Sequence, residues 1–126
     1  MNEFMMIFRN EKSNGSQPPS AEQMQAVMKE WQTWIKDIAT KGNYGSTNRL
    51  LSEGKTLKPG NVVADGPYAE VKEVVGGYLV VKANALEDAV AMAQSCPNIK
   101  YGGSVEVRSV MSIDDDYTSP NFLDQK

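Results

Sequence analysis

Between Val74 and Ala83 the chain reads Val-Val-Gly-Gly-Tyr-Leu-Val-Val-Lys-Ala, a run rich in the β-branched and aromatic residues that suit a pleated, buried surface. Alternation points Leu79, Val81 and Ala83 to one side and Tyr78, Val80 and Lys82 to the other. A strand with hydrocarbon on both sides needs a central place in a sheet and cover on each face. Any fold open to this chain must put one layer against Leu79 and another against Val80.

The segment feeding that strand is Asp65-Gly66-Pro67-Tyr68-Ala69-Glu70-Val71-Lys72-Glu73. Gly66 is free to take φ > 0 and Pro67 fixes φ near −65°, so the segment opens on a pre-set bend. Simple alternation then puts Glu70 and Lys72 on one side and Glu73 on the other.

Elsewhere the pattern alternates between strand and helix. Phe4–Arg9 reads as a buried first strand, ended by the polar, Gly- and Pro-containing segment 10–19. Ser20 with Gln23 three residues on forms a capping-box signature. From there Met24, Val27, Met28, Trp31, Ile35 and Ile38 recur at helical spacing, with Trp34 widening the stripe, and Gly42 fits the position after the helix end. This stripe is expected in the core or in a subunit interface. Tyr44–Leu51 is a weak strand candidate, Thr56-Leu57 a short one, Pro59-Gly60-Asn61 a turn, and Val62–Asp65 another short strand. Asn84 with Glu87 repeats the capping-box pattern, predicting a helix with Leu86, Ala89, Val90 and Ala93 inward and Pro97 beyond its end. Ser104–Val110 is the last strand, with Val105 and Val107 opposite in phase to Glu106 and Arg108.

The order is that of an α+β chain, the βαββαβ pattern of a ferredoxin-like sandwich: an antiparallel sheet with two helices on one face. A second copy of the chain is the simplest cover for the other face.

Composition removes several classes of chemistry. The 126 residues contain no histidine and one cysteine, which leaves no Ser-His-Asp or Cys-His nucleophile and no disulfide framework. Cys96, just before Pro97, reads as a small packed residue. Residues 1–111 carry 12 Lys/Arg and 12 Asp/Glu, so no basic patch points to direct nucleic-acid binding. The segment 112–126 is acidic, with Asp114, Asp115, Asp116 and Asp124 against Lys126. Three consecutive aspartates without flanking ligands make a poor cation site, so no metal and no cofactor is expected. The apolar run in Phe4–Phe8 is too short for a signal peptide, and nothing approaches the ~18 apolar residues of a membrane span; a cytoplasmic protein without membrane contact is expected.

Asp-Gly-Pro-Tyr-Ala-Glu-Val-Lys-Glu (65–73), Gly-Gly-Tyr (76–78), Leu-Glu-Asp-Ala-Val-Ala-Met-Ala (86–93) and Val-Glu-Val-Arg-Ser-Val (105–110) resemble the YCII-related, or DGPF, domain family. The match in order and spacing spans about residues 3–111, with Tyr68 where the family's Phe stands. It divides the chain into a domain of residues 1–111 and an acidic tail of 112–126. The resemblance implies a dimeric α/β barrel, two ferredoxin-like units packed sheet to sheet with a pocket in each. A His-Asp acid–base pair is suggested for one branch of that family; here only an aspartate can match it, at Asp65, so catalysis stays open. Members also resemble proteins encoded with alternative sigma factors, which implies a non-enzymatic interaction module tied to transcription as a second role.

A homodimer with a small polar ligand between sheet and partner is therefore expected. The candidate contacts are Asp65, also the candidate base, with Glu70, Lys72, Tyr78 and Arg108: a carboxylate beside Lys or Arg in a low-dielectric cleft can bind a polar molecule or shift its own pKa.

Overall fold

The computed structural model describes residues 1–11, 20–65 and 73–111. Along them run β1 (Asn2–Glu11), α1 (Ala21–Thr40), β2 (Tyr44–Arg49), β3 (Lys55–Lys58), β4 (Val62–Asp65), β5 (Glu73–Ala83), α2 (Leu86–Ala93), α3 (Pro97–Lys100) and β6 (Ser104–Ser109). The main sheet has the order β2-β5-β1-β6, with antiparallel neighbours throughout. Without the β3–β4 insertion this is the ferredoxin-like order. The strand singled out from the sequence, β5, lies inside the sheet, between β1 and β2.

Alternation divides the sheet as expected. Phe4, Met6 and Phe8 of β1 and Leu79, Val81 and Ala83 of β5 are buried on the helix side, with Val105 and Val107 of β6 packed against them. Trp34 and Ile38 of α1, Ala89 and Ala93 of α2, and Cys96 close this core from above. Trp34 also donates its indole Nε1–H to Met92 O at 3.1 Å, which joins α1 to α2 and satisfies a polar group that burial would otherwise penalise. Lys100 Nζ and Tyr101 OH both donate to the Glu30 carboxylate, at 2.7 and 2.9 Å, and so tie α1 to α3.

The capping box forms as read: Gln23 N donates to Ser20 Oγ, and Ser20 N donates to Gln23 Oε1. Gly42 follows the C-cap Lys41 with φ +80°, a conformation that glycine takes without steric cost.

Three expectations change. The cap of α2 is Ala85, with no side-chain hydrogen bond, so the Asn84–Glu87 box does not form. Leu86 and Val90 are exposed, because the helix rests on Ala89 and Ala93, and side chains without bulk at i and i+4 let it lie close to the sheet. Pro97 lies beyond the end of α2, as expected, and also starts the short helix α3; its fixed φ and missing N–H suit a first helical position. Finally, β3 and β4 pair with each other outside the main sheet. Their link Pro59-Gly60-Asn61 reverses the chain through positive φ at Gly60 and Asn61 (85° and 63°), which closes a local hairpin before either strand can reach β5.

The sheet face away from the helices carries Met5, Ile7, Tyr78 and Val80, all half-buried in the single chain. At its β6 side Glu106 lies between two guanidiniums, Arg9 at 3.1 Å and Arg108 at 3.8 Å.

Candidate functional site

A helix as long as α1 needs matching side chains beneath its whole apolar stripe, and the sheet supplies them under only half of it. Leu79 and Val81 of β5 fill the space below Trp34 and Ile38. The next helix-side position of β5 is Gly77, paired with Phe8 of β1 and Arg49 of β2, and it contributes no side chain. Gly76 is an extra residue on β5, where the register against β1 shifts between Phe8 and Arg9. Above this bare patch Met24 and Met28 remain 39% and 44% exposed. The stripe that periodicity assigns to a core or interface thus overhangs empty space in its first half.

That space is a cavity of about 620 Å³ between α1 and the sheet, within the range that ligand pockets occupy. Its wall is Met24, Val27, Met28, Trp31 and Ile35; its floor is Phe8, Thr47, Gly76 and Gly77; Asn10, Asn48, Arg49, Leu50 and Asn98 complete it. The aromatic wall is held by edge-to-face contacts, Trp31 to Phe8 at 4.9 Å and Trp31 to Trp34 at 5.7 Å between ring centroids, so Trp31 is fixed by the core on one side and faces the cavity on the other.

The polar groups have defined commitments. Thr47 Oγ1 donates to Tyr78 O at 2.7 Å. Asn98 is buried and donates through Nδ2 to Arg9 O at 3.1 Å and Ser104 O at 2.8 Å, so its carbonyl oxygen is what it retains for another group. Asn10 lies between two glycines: a Cβ on Gly103 would stand 2.5 Å from Asn10 Oδ1 and one on Gly76 3.3 Å from Asn10 Nδ2. Arg49 is the only charged residue among the described lining.

Of the residues put forward from the sequence, Asp65, Tyr78 and Arg108 are among the described residues. Tyr78 and Arg108 share the open sheet face, where Tyr78 OH accepts from Asn48 Nδ2 at 2.8 Å and Arg108 Nε stands 3.8 Å from the Glu106 carboxylate. Asp65 is on the separate β3–β4 ribbon, 87% exposed, its carboxylate engaged by Lys55. Glu70 and Lys72 lie outside the described residues, as does the acidic segment 112–126. No group of three or more His, Cys, Asp or Glu side chains placed to hold a metal occurs among the described residues, and no described helix is long and apolar enough to cross a membrane. Sequence reasoning missed Arg49, Asn10 and Asn98 as cavity groups. The legible signal was the combination of an overlong Met/Trp stripe with two adjacent glycines in the strand below it.

The strand order and the single helical layer define this chain as a ferredoxin-like α+β sandwich. Within that class it belongs to the YCII-related domain family, whose model matches residues 4–114. The uncharacterized protein R00369 of Rhizobium meliloti (strain 1021) is 30% identical over 95 residues, 71% of this chain and 77% of that protein. Among solved structures, the 5-chloro-2-hydroxyhydroquinone dehydrochlorinase TftG of Burkholderia phenoliruptrix AC1100, in complex with 2,5-dihydroxybenzoquinone, superposes with a TM-score of 0.49 at 15% identity, covering 90% of this chain and 99% of that one.

Proposed function

We propose that this protein binds a small molecule in the cavity under the first half of α1. The observation that carries the proposal is the uncovered apolar stripe: Met24, Met28 and the cavity side of Trp31 border a cavity whose floor includes the side-chain-free Gly76 and Gly77, and exposed hydrocarbon of this kind is retained where something binds. The lining is mainly apolar, so the ligand that suits it has an apolar body besides the polar groups anticipated from the sequence. Asp65 is engaged by Lys55, so binding and not turnover is the centre of the proposal.

The open sheet face supports a homodimer. Met5, Ile7, Tyr78 and Val80 would be buried against a second copy, with Tyr78 and Arg108 as contacts on that face and not in the α1 cavity. Sedimentation of wild type and Ile7→Glu tests this; a wild-type monomer at micromolar concentration removes the dimer.

The binding role is tested with the neutral apolar fluorophore N-phenylnaphthylamine. Wild type should bind it saturably near one per chain, and Met28→Glu, at a partly exposed position that tolerates charge, should lose binding with its melting temperature little changed. Non-saturable binding, or binding that survives Met28→Glu, overturns the proposal.

A further inference from the structure

We infer that the cavity selects an amphipathic organic anion, with a ring-sized apolar body against Trp31 and Met28 and a carboxylate or sulfonate on Arg49. This rests on the proposed binding role and adds the charge and shape of the ligand.

Charge balance is the first reason. Arg49 is the one ionisable side chain in the described lining. Five of the nine other Lys and Arg side chains of the described residues sit within 4 Å of an acid: Arg9 and Arg108 with Glu106, Lys41 with Asp37, Lys55 with Asp65, Lys100 with Glu30. No such acid stands by Arg49 among the described residues. Its place on the edge strand β2, directly opposite Gly77, leaves the guanidinium without a neighbouring side chain on that strand pair. A planar guanidinium beside an apolar wall matches a planar anion in two parallel hydrogen bonds.

Hydrogen-bond accounting is the second reason. The Thr47 hydroxyl proton and both Asn98 amide protons are spent on backbone carbonyls. Asn10 and Asn48 add neutral amide donors, so Arg49 is the one charged donor of the described lining, in a cavity whose wall also holds Trp31, Met24 and Met28, groups that favour polarizable rings over a hydrated polar ligand.

The test compares two dyes with one ring skeleton, anilinonaphthalene sulfonate, which carries the anion, and N-phenylnaphthylamine, which does not, on the full chain. Arg49→Gln should weaken the sulfonate roughly tenfold, as loss of a charge-assisted pair does, and leave the neutral dye unchanged; added salt should weaken the sulfonate alone. Met28→Glu should remove both. If the neutral dye fails to bind wild type, the binding role itself falls. If it binds but Arg49→Gln leaves the sulfonate unaffected, the binding role stands and the anion inference is overturned. Sulfonate binding that persists in Met28→Glu places the dye elsewhere, such as on the exposed ribbon at Leu57 and Val63, and also overturns it.

Discussion

Asn98 offers the sharpest test of how the cavity end of the sheet is held. Its side chain, 7% exposed, bridges the carbonyls of Arg9 on β1 and Ser104 on β6, while Gly103 N donates to Asn98 O at 2.8 Å. Asn98→Ala removes two neutral hydrogen bonds at about 1 kcal/mol each, so a loss of about 2 kcal/mol is expected. For a chain of this size that lowers the melting temperature by about 8 °C. Asn98→Asp sharpens the reasoning, since an ionised carboxylate cannot donate and stands against two carbonyl oxygens. Burial and those oxygens raise the folded pKa of the introduced acid above its unfolded value of about 3.9. Its folded state then holds the proton longer than its unfolded state, so stability falls as pH rises from about 4 and levels off above the folded pKa. Urea titrations of wild type, Asn98→Ala and Asn98→Asp at about pH 4 and about pH 7 measure both effects. A loss under about 0.5 kcal/mol for Asn98→Ala, or an Asp variant no worse at neutral than at acid pH, would refute the bridging role.

Gly77→Ala should be among the costly glycine substitutions: its Cβ would lie 2.8 Å from Asn48 O and 3.4 Å from Arg49 Cα, both backbone atoms that can yield only by moving β2, and a loss of about 1–3 kcal/mol in chemical denaturation is expected. The Cys96 thiol is pushed up to about 11 by burial, so the folded protein should resist alkylation at neutral pH and react on denaturation. Because the folded thiol keeps its proton above its usual pKa of 9.0, stability is full below about pH 9 and is lost as pH rises toward 11; this decline should be shallower in Cys96→Ala, and equal slopes would remove the assignment.

Much of the fold was legible because local signals agreed with one another. The Ser20–Gln23 box, Gly42 and the phase of β5 each followed from residue chemistry that acts within a few positions. The misreadings arose where distance in space decides. Asn84 and Glu87 carry the right pattern for a cap, but the packing of Ala89 and Ala93 sets where α2 begins. The β3 and β4 segments look like sheet strands until Gly60 and Asn61 close them on each other. The site was the least legible part. Charges that alternate along β5 and β6 drew attention to the open face, whereas the cavity brings Gly76 and Gly77 of β5 together with residues of α1, a helix distant in sequence. Asp65 shows the limit in another way: the motif around it marks the family, while its carboxylate is engaged by Lys55 on a ribbon apart from the main sheet.

Both tryptophans of the protein lie one turn apart on α1, edge-to-face with each other and with Phe8. All indole absorption and emission therefore originates from a single helix. Trp34, sealed in the core with its N–H on Met92 O, reports the integrity of the fold; Trp31, at the cavity wall, reports what enters. Two such rings 5.7 Å apart at 80° are close enough for their transitions to couple, so circular dichroism in the indole bands reads their mutual angle. The indole bands therefore gauge whether Trp31 keeps its packing on Trp34 when the cavity is filled.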